Sequence, residues 1–250
     1  MLMGEPKVIV SLTSHTAERL KNLPFFLYSS IFKNSFDYVK VVLTLFKDDV
    51  KFIPDALQKM IDTGMVELLI ADINLRCHLK YFYAMSKYRT LPVITIDDDS
   101  IYPARMIPDL LSASEKYPNT IIARSARLIQ PDKPYIRWFE VVGGVTTAHW
   151  NGHYDEVRGD LNPEGFGGVL YPADILKVDT SIIPEIMKFP RADDIWLTIH
   201  EQRMGIKSVV PKYAYNKLDV NTRPTASICT QPDNLQMIDS LVSQYKGDLL

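Results

Sequence analysis

Short apolar runs alternate with helix-like segments along the first two thirds of the chain. The apolar runs predict strands at 7–12, 38–46, 66–70, 93–96 and 120–123, and the segments between them have the spacing of amphipathic helices, ending near residues 32, 63, 88 and 117. Pro24 predicts a break or a second helix start in the first helix. Strands that alternate with helices predict an α/β fold with a mostly parallel central sheet and helices on both faces.

The pattern changes after residue 130. Seven of the 11 glycines lie between Gly143 and Gly168. Apolar residues show no regular spacing in this stretch, which predicts loops and bent strands. Further on, the sequence predicts a helix over 194–204, a strand over 206–210 and a final helix over 234–245.

Composition restricts the class of protein. With 46% hydrophobic and 23% charged residues and a net charge of −2, the chain resembles a globular protein rather than a basic nucleic-acid binder or an acidic disordered tail. Cys77 and Cys229 are far apart and form no metal-spaced pair. This leaves a single disulfide between them open, excludes a disulfide scaffold and favours a reducing compartment. The first apolar run is too short for a signal peptide, and no run reaches the roughly 20 residues of a membrane helix. We expect a cytoplasmic protein.

The candidate chemistry starts where the 93–96 strand ends in Asp97, Asp98 and Asp99. In open α/β sheets ligands bind at the carboxyl ends of the strands. Asp97 and Asp99 point the same way in an extended chain, with Cα atoms about 6.6 Å apart, and such hard oxygen ligands suit Mg²⁺ or Mn²⁺ beside phosphate oxygens. The alternative is a solvated acidic turn in which Asp99 or Ser100 caps a helix.

The residues resemble those of GT-A-fold, nucleotide-sugar-dependent glycosyltransferases. The pattern is similar to bacterial polysaccharide glycosyltransferases related to family 2 and to exostosin-like transferases. The acidic triplet and four further segments occur in the family's order, and together they cover about residues 7–212: 8–14, 75–83, 165–172 and 192–196. The resemblance implies one GT-A (Rossmann-like) domain with a nucleotide-binding half (1–125), a loop-rich acceptor half (126–212) and a tail or lid (213–250).

The resemblance also implies roles for the triplet and for the first strand's exit. Asp99 would ligate Mn²⁺ or Mg²⁺, and Asp97 would hold the ribose or a metal-bound water, while the donor-binding role of Asp98 is the most ambiguous. Thr13 and Ser14 would recognise a uracil-type base or the ribose. Their alternative is a helix cap, for which Ser and Thr are favoured.

Basic residues are candidates for the diphosphate. Arg76 and Lys80 stand four apart on a predicted helix, which suits phosphate oxygens, although a solvated basic edge is the alternative. Arg124 and Arg127 follow the 120–123 strand and are further candidates for sugar or phosphate contact.

A second acidic pair, Asp193 and Asp194, opens the 194–204 helix. By the resemblance, one of the two would deprotonate the acceptor hydroxyl, and we favour Asp194. That base role belongs to an inverting enzyme, whereas exostosin-like enzymes retain anomeric configuration, so the sequence leaves this choice open. The alternative is a helix cap that complements the helix dipole.

The glycine-rich stretch is the candidate wall for donor sugar and acceptor. Gly167 and Gly168 would let the backbone approach a sugar, and Trp150 offers an apolar face for a sugar ring. Plain packing is the alternative for each of them.

The resulting expectation is a metal-dependent glycosyltransferase that moves a sugar from a nucleotide-sugar, by resemblance a UDP-sugar, to a saccharide or lipid-linked saccharide in surface polysaccharide synthesis. Any membrane association would be peripheral, at the inner face, and no nucleic acid is expected as a partner. The alternatives are a haloacid-dehalogenase-like Mg²⁺-dependent phosphohydrolase with Asp97 as nucleophile, and a non-catalytic carbohydrate-binding module.

Overall fold

The computed structural model describes residues 5–34, 37–139, 155–212, 220–221 and 231–249. Its strands, in chain order, are β1 (Val8–Thr13), β2 (Val39–Phe46), β3 (Val66–Ala71), β4 (Val93–Thr95), β5 (Ser100–Ile101), β6 (Ile121–Ala123), β7 (Ala126–Leu128), β8 (Leu161–Pro163), β9 (Val169–Tyr171), β10 (Ser208–Val209) and β11 (Val220–Asn221). Its α-helices are α1 (Ala17–Ser30), α2 (Asp55–Asp62), α3 (Phe82–Lys87), α4 (Met106–Lys116), α5 (Ile183–Ile186), α6 (Asp193–Arg203) and α7 (Pro232–Gln244).

Seven strands form the central sheet, in the order β10-β6-β9-β4-β1-β2-β3. All neighbouring strands are parallel except β9, which runs antiparallel to both β4 and β6. The predicted mostly parallel sheet is therefore confirmed. Two short antiparallel pairs, β5 with β11 and β7 with β8, lie outside it.

Helices cover both faces of the sheet, as predicted. Successive residues of β1 enter opposite cores, because side chains alternate along a strand: Val8 and Val10 pack in the core that contains residues of α1, α2 and α4, and Ile9 packs in the core that contains residues of α3, α6 and α7. All three are fully buried. Burial on both faces explains why the parallel strands are apolar at nearly every position.

Pro24 does not break the first helix. It lies inside α1, where a proline removes one backbone hydrogen bond. Leu20, Leu23 and Leu27 are buried on one face of this helix. Packing of that face keeps the helix continuous, so tertiary contacts override the local cost.

Two further expectations were wrong in detail. The helix predicted over 75–88 is a 3₁₀ helix, Arg76–Lys80, followed by the shorter α3. The glycine-rich region contains β9, which inserts into the middle of the sheet and which the failing periodicity concealed. Residues 140–154, and with them Trp150, lie outside the described residues, as does most of the segment 213–230. Among the described helices, none is both long and apolar enough to cross a bilayer.

Candidate active site

The acidic triplet follows β4 at the carboxyl end of the parallel strands. Because β4 pairs in parallel with β1, the triplet meets the exit of β1 and the start of α1 at one edge of the sheet. The backbone N–H of Asp97 donates to the hydroxyl of Tyr102 (2.9 Å), and that hydroxyl donates to the carbonyl oxygen of Phe166 (3.0 Å). Tyr102 is buried, so it fixes the triplet against the glycine-rich turn.

Asp98 is the most buried member of the triplet, with 4% of its surface exposed. Its carboxylate accepts a hydrogen bond from the hydroxyl of Ser14 (2.5 Å) and one from the guanidinium of Arg19 (2.5 Å). Burial raises the pKa of Asp98 to about 6, although Arg19 and Ser14 oppose that shift. A second nitrogen of Arg19 lies 2.7 Å from Asp99. Arg19 therefore supplies positive charge to two of the three acids.

Lys80 connects the triplet to the second acidic pair. Its ammonium lies 3.1 Å from Asp97 Oδ1, 2.6 Å from Asp193 Oδ2 and 4.0 Å from Asp194 Oδ1. Burial alone would lower the pKa of Lys80, but the three carboxylates raise it well above its ordinary value. A fixed cation thus allows carboxylates from two distant parts of the sequence to lie close together, which their mutual repulsion would otherwise oppose.

The two acids at the start of α6 have opposite electrostatic environments. Burial would raise the pKa of Asp193, but Lys80 outweighs it and holds that pKa below its usual range. Burial raises the pKa of Asp194, and the charge of Asp193 raises it further. The side chain of Asp194 is 30% exposed against 12% for Asp193. Asp194 is therefore the accessible group with the greater proton affinity.

Gly165 fits directly against these charged groups. Its backbone N–H donates to Asp194 Oδ1 (3.1 Å). A Cβ atom at this position would come within 2.7 Å of Lys80 Nζ and 2.8 Å of Asp194 Oδ1, closer than real Cβ contacts. The absence of a side chain here is what lets the turn bind Asp194.

Gly167 and Gly168 make close contacts with the protein itself. A Cβ at Gly167 would lie 3.2 Å from the side chain of Ser125, and one at Gly168, whose φ is +92°, would lie 3.2 Å from the sulfur of Met106. Packing thus explains both glycines, and their contact with a sugar stays a prediction. The guanidinium of Arg124, buried behind this turn, donates to the carbonyl oxygen of Gly167 (3.1 Å).

The other predicted residues are placed as follows. Thr13 donates its hydroxyl to the carbonyl oxygen of Thr44 (2.8 Å), and neither Thr13 nor Ser14 caps α1, since its N-cap is Thr16. Arg76 is exposed and has a left-handed φ of +54°. The expectation that Arg76 and Lys80 share a helical face was wrong, because the 3₁₀ geometry exposes the first and buries the second.

Arg127 is buried rather than available at the surface. It forms an ion pair with Glu164, which also accepts a hydrogen bond from Ser125 (2.5 Å). This cluster supports the residue immediately before Gly165. Arg127 and Arg124 thus hold the glycine-rich turn in place, and a direct contact of either with sugar or phosphate stays a prediction.

The donor set suits a divalent metal shared with a substrate. Within the ranges that the structure describes, no three carboxylate, histidine or cysteine side chains converge to hold a metal ion without help. Mg²⁺ and similar ions are commonly held by one or two carboxylates together with substrate phosphates. Asp97 and Asp99 have side chains 29% and 16% exposed at the sheet edge, so an ion carried by a substrate can reach each of them. The extended backbone expected across the triplet was wrong, because residues 98 and 99 form a turn, and Asp97 contacts Lys80 while Asp99 contacts Arg19.

Two residues of the site were missed by sequence reasoning. Arg19 lies in the first turn of α1, directly after the exit of β1, and a basic residue at that position was a signal that could have been followed. Tyr102 carried no such signal, because its role depends on the approach of β9 to β4. Neither a motif nor periodicity indicates that approach.

Comparisons with known proteins place the fold. The sequence matches no protein-family model and no curated protein. The similar solved structures include S. aureus TarS 1-349 in complex with UDP-GlcNAc, with 14% identity over 97% of this chain and 66% of that chain and a TM-score of 0.54. Mannosyltransferase PcManGT from Pyrobaculum calidifontis in complex with GDP-Man and Mn²⁺ has 11% identity over 98% of this chain and 72% of that chain and a TM-score of 0.47. 4-diphosphocytidyl-2C-methyl-D-erythritol synthase from Anaerococcus prevotii has 11% identity over 95% of this chain and 96% of that chain and a TM-score of 0.47.

Only the TarS superposition is close enough to support a conclusion, and at 14% identity it concerns the backbone alone. The chain spans less than two thirds of the TarS chain. The chain has the fold of GT-A-type glycosyltransferases.

Proposed function

We propose that the protein is a metal-dependent glycosyltransferase that moves a sugar from a nucleotide-sugar, in the first instance a UDP-sugar, to a saccharide hydroxyl. One observation carries the proposal: Lys80 brings Asp97 of the triplet and Asp193 of the second pair to the same ammonium group, within 3.1 and 2.6 Å. The acidic triplet, which we propose as the donor-binding edge, therefore lies beside the two acids that open α6, of which Asp194 is the proposed base. The TarS structure contains UDP-GlcNAc, which supports the choice of donor class, and the carboxylates of Asp97 and Asp99 at the sheet edge support the choice of a divalent metal.

In this proposal the groups have separate tasks. Asp97 and Asp99 hold a Mn²⁺ or Mg²⁺ ion, which when bound neutralises the charge that develops on the leaving diphosphate. Asp194 accepts the proton of the acceptor hydroxyl through its second oxygen, Oδ2, while Oδ1 stays bonded to the N–H of Gly165. The hydroxyl oxygen bonds to the anomeric carbon as the bond from that carbon to the diphosphate breaks. The electron pair of that bond leaves with the diphosphate.

Asp194 is the better base of the pair for a physical reason. A base must reach its substrate and must hold a proton well enough to take it from a hydroxyl. Asp193 is engaged by Lys80, and its pKa is lowered, whereas Asp194 is more exposed and its pKa is raised. A base in this role belongs to an inverting enzyme. The anomeric configuration of the product, measured by NMR, therefore tests the assignment: inversion supports it and retention contradicts it.

The test is metal-dependent release of nucleoside diphosphate from a panel of nucleotide-sugars, with and without Mn²⁺ and saccharide acceptors. We expect release with at least one UDP-sugar, and loss of release in Asp99→Ala. Asp194→Asn should still bind the donor but transfer at least a hundredfold more slowly, whereas unfolding of Asp194→Asn would indicate a structural role, since the N-cap of α6 is Ala192 and Asp194 instead accepts from the N–H of Gly165. Hydrolysis of phosphomonoesters without nucleotide-sugar turnover would favour the phosphohydrolase, and sugar binding without turnover the binding module.

The wider setting follows from the same proposal. A saccharide or lipid-linked acceptor and a place in surface polysaccharide synthesis fit a transferase of this kind, with peripheral association at the inner face of the membrane. Incubation with membrane extracts and a radiolabelled UDP-sugar tests this. Incorporation of label into lipid-linked saccharide is the expected result, and transfer only to free saccharides would argue against it.

A further inference from the structure

Arg19 is the cation of the acidic triplet on its α1 side. One guanidinium nitrogen lies 2.5 Å from Asp98 Oδ1, and the other lies 2.7 Å from Asp99 Oδ2. The side chain of Arg19 is 30% exposed, against 3% for Asp98 and 16% for Asp99. The inner end of the guanidinium is thus bound by carboxylates, while part of the side chain reaches solvent.

The same guanidinium engages the residue assigned to the metal. Asp99 is a proposed ligand of Mn²⁺ or Mg²⁺, and one of its oxygens already accepts from Arg19. A divalent ion bound to Asp99 would lie within a few ångströms of the positive charge of this guanidinium. Binding of the metal alone must therefore overcome this repulsion or displace Arg19 from Asp99.

We propose that Arg19 competes with the divalent metal for Asp99 and that a diphosphate relieves this competition. Guanidinium groups bind phosphate oxygens in the same two-pronged geometry in which they bind carboxylates. A bound nucleoside diphosphate draws Arg19 from Asp99 and frees that carboxylate for the metal, while Asp98 stays anchored by Ser14 (2.5 Å). Metal and diphosphate consequently bind cooperatively. This inference rests on the proposed function.

Mn²⁺ binding, followed by the electron paramagnetic resonance signal of free Mn²⁺, tests the competition on the full chain without any turnover. Arg19→Gln should bind Mn²⁺ about tenfold more tightly than the wild type in the absence of nucleotide. Addition of UDP should increase the Mn²⁺ affinity of the wild type at least fivefold more than that of Arg19→Gln. Unchanged or weaker Mn²⁺ binding in Arg19→Gln would overturn the proposal, as would an equal effect of UDP on both.

A matched control is the exposed ion pair of Arg89 with Asp174 (2.7 Å). Arg89 precedes β4 and so lies at the opposite end of that strand from the triplet. Arg89→Gln makes the same change in net charge and should leave Mn²⁺ affinity unaltered. If Arg19→Gln does not fold because Asp98 is left unpaired, Arg19→Gln/Asp98→Asn is compared with Asp98→Asn, and the same tenfold difference is expected.

Nucleotide-sugar turnover measured in parallel separates this inference from the proposed function. Turnover by the wild type together with unchanged Mn²⁺ affinity in Arg19→Gln would overturn the competition alone. Tighter Mn²⁺ binding in Arg19→Gln without turnover of any nucleotide-sugar would support the competition and overturn the transferase. Absence of Mn²⁺ binding in every variant, with and without UDP, would overturn both the competition and the metal assignment.

Discussion

The ammonium of Lys80 lies 2.6 Å from the carboxylate of Asp193, and both side chains are largely buried. In the chain, Lys80 precedes β4 and the acidic triplet, whereas Asp193 opens α6 after the glycine-rich region. This one contact joins the two parts of the candidate site. Removal of one partner of a buried pair leaves the other charge without compensation.

Lys80→Met should therefore lower the free energy of unfolding by about 3 kcal/mol, because Asp193 would remain buried and ionised. Lys80→Met/Asp193→Asn should lose less than the sum of the two single variants, with a coupling of about 1–3 kcal/mol. Urea unfolding of the three variants measures this. Strict additivity would contradict the central role of the pair. The exposed pair of Lys116 with Asp155 (3.5 Å) provides a control, and Lys116→Met should not move the urea midpoint.

Gly165→Ala tests whether the turn must approach the charged groups. A Cβ here would come within 2.7 Å of Lys80 Nζ and 2.8 Å of Asp194 Oδ1, so Asp194 must move from the N–H of residue 165. We expect transfer to fall by roughly a hundredfold, with the donor still bound. Gly159→Ala is the matched control, because no atom lies within 4 Å of a Cβ there. Equal activity of both variants would argue against Gly165 as a positioning element.

The pH dependence of transfer tests the assignment of the base. Burial and the charge of Asp193 raise the pKa of Asp194, and a base must be ionised to act. The rate should therefore fall with decreasing pH at values above the ordinary aspartate pKa of about 3.9. Asp193→Asn removes a negative charge beside Asp194, which lowers the pKa of Asp194 and should move the acidic limb of kcat/KM to lower pH.

Asp174→Asn, at an exposed pair with Arg89, should leave that acidic limb in place. Complete loss of transfer in Asp193→Asn, with donor binding retained, would instead identify Asp193 as the base. A shift of the acidic limb towards higher pH would also contradict the electrostatic account.

The sequence predicts most of the central sheet because each strand is encoded by a short run of neighbouring apolar residues. Strands such as β1 and β2 are continuous apolar runs, and their burial on both faces follows from the alternation with helices. The acidic triplet follows β4 directly in the sequence, which predicts its place at the carboxyl ends of the parallel strands, where ligands bind in open α/β sheets. The antiparallel β9 was not predicted because it is only three residues long, between Gly168 and Pro172, and only its pairing with β4 and β6 identifies it as a strand.

Side-chain roles were harder to predict than element positions. Lys80 was expected at the diphosphate, yet the 3₁₀ turn buries it under three carboxylates. Its partner Asp193 is distant in sequence, and no local pattern encodes that contact. The position of Arg19 directly after the exit of β1 is a local signal, but its two carboxylate partners lie beyond β4, so that position alone does not predict which acids Arg19 binds. Pairings between distant charges depend on the completed fold.

Glu201 provides a test of stability that does not involve catalysis. It is buried in α6 at 1% exposure, where Ser208 donates a long hydrogen bond of 3.4 Å to Oε2, and Oε1 has no hydrogen-bond partner among the described residues. Burial raises the pKa of Glu201 from 4.5 to about 8. The folded protein therefore holds a proton that the unfolded chain releases, so the stability from Glu201 is present below pH 4.5 and is lost as the pH rises to about 8.

The side chain of Glu201→Gln does not titrate, so this variant should not lose stability as the pH rises. Urea unfolding at pH 5 and pH 9 should show that the variant gains roughly 4 kcal/mol relative to the wild type between the two values. Glu115→Gln, at an exposed position of α4, should follow the wild type. An unchanged pH dependence in Glu201→Gln would mean that Glu201 is ionised in the folded protein, and that solvent or a cation reaches its buried carboxylate.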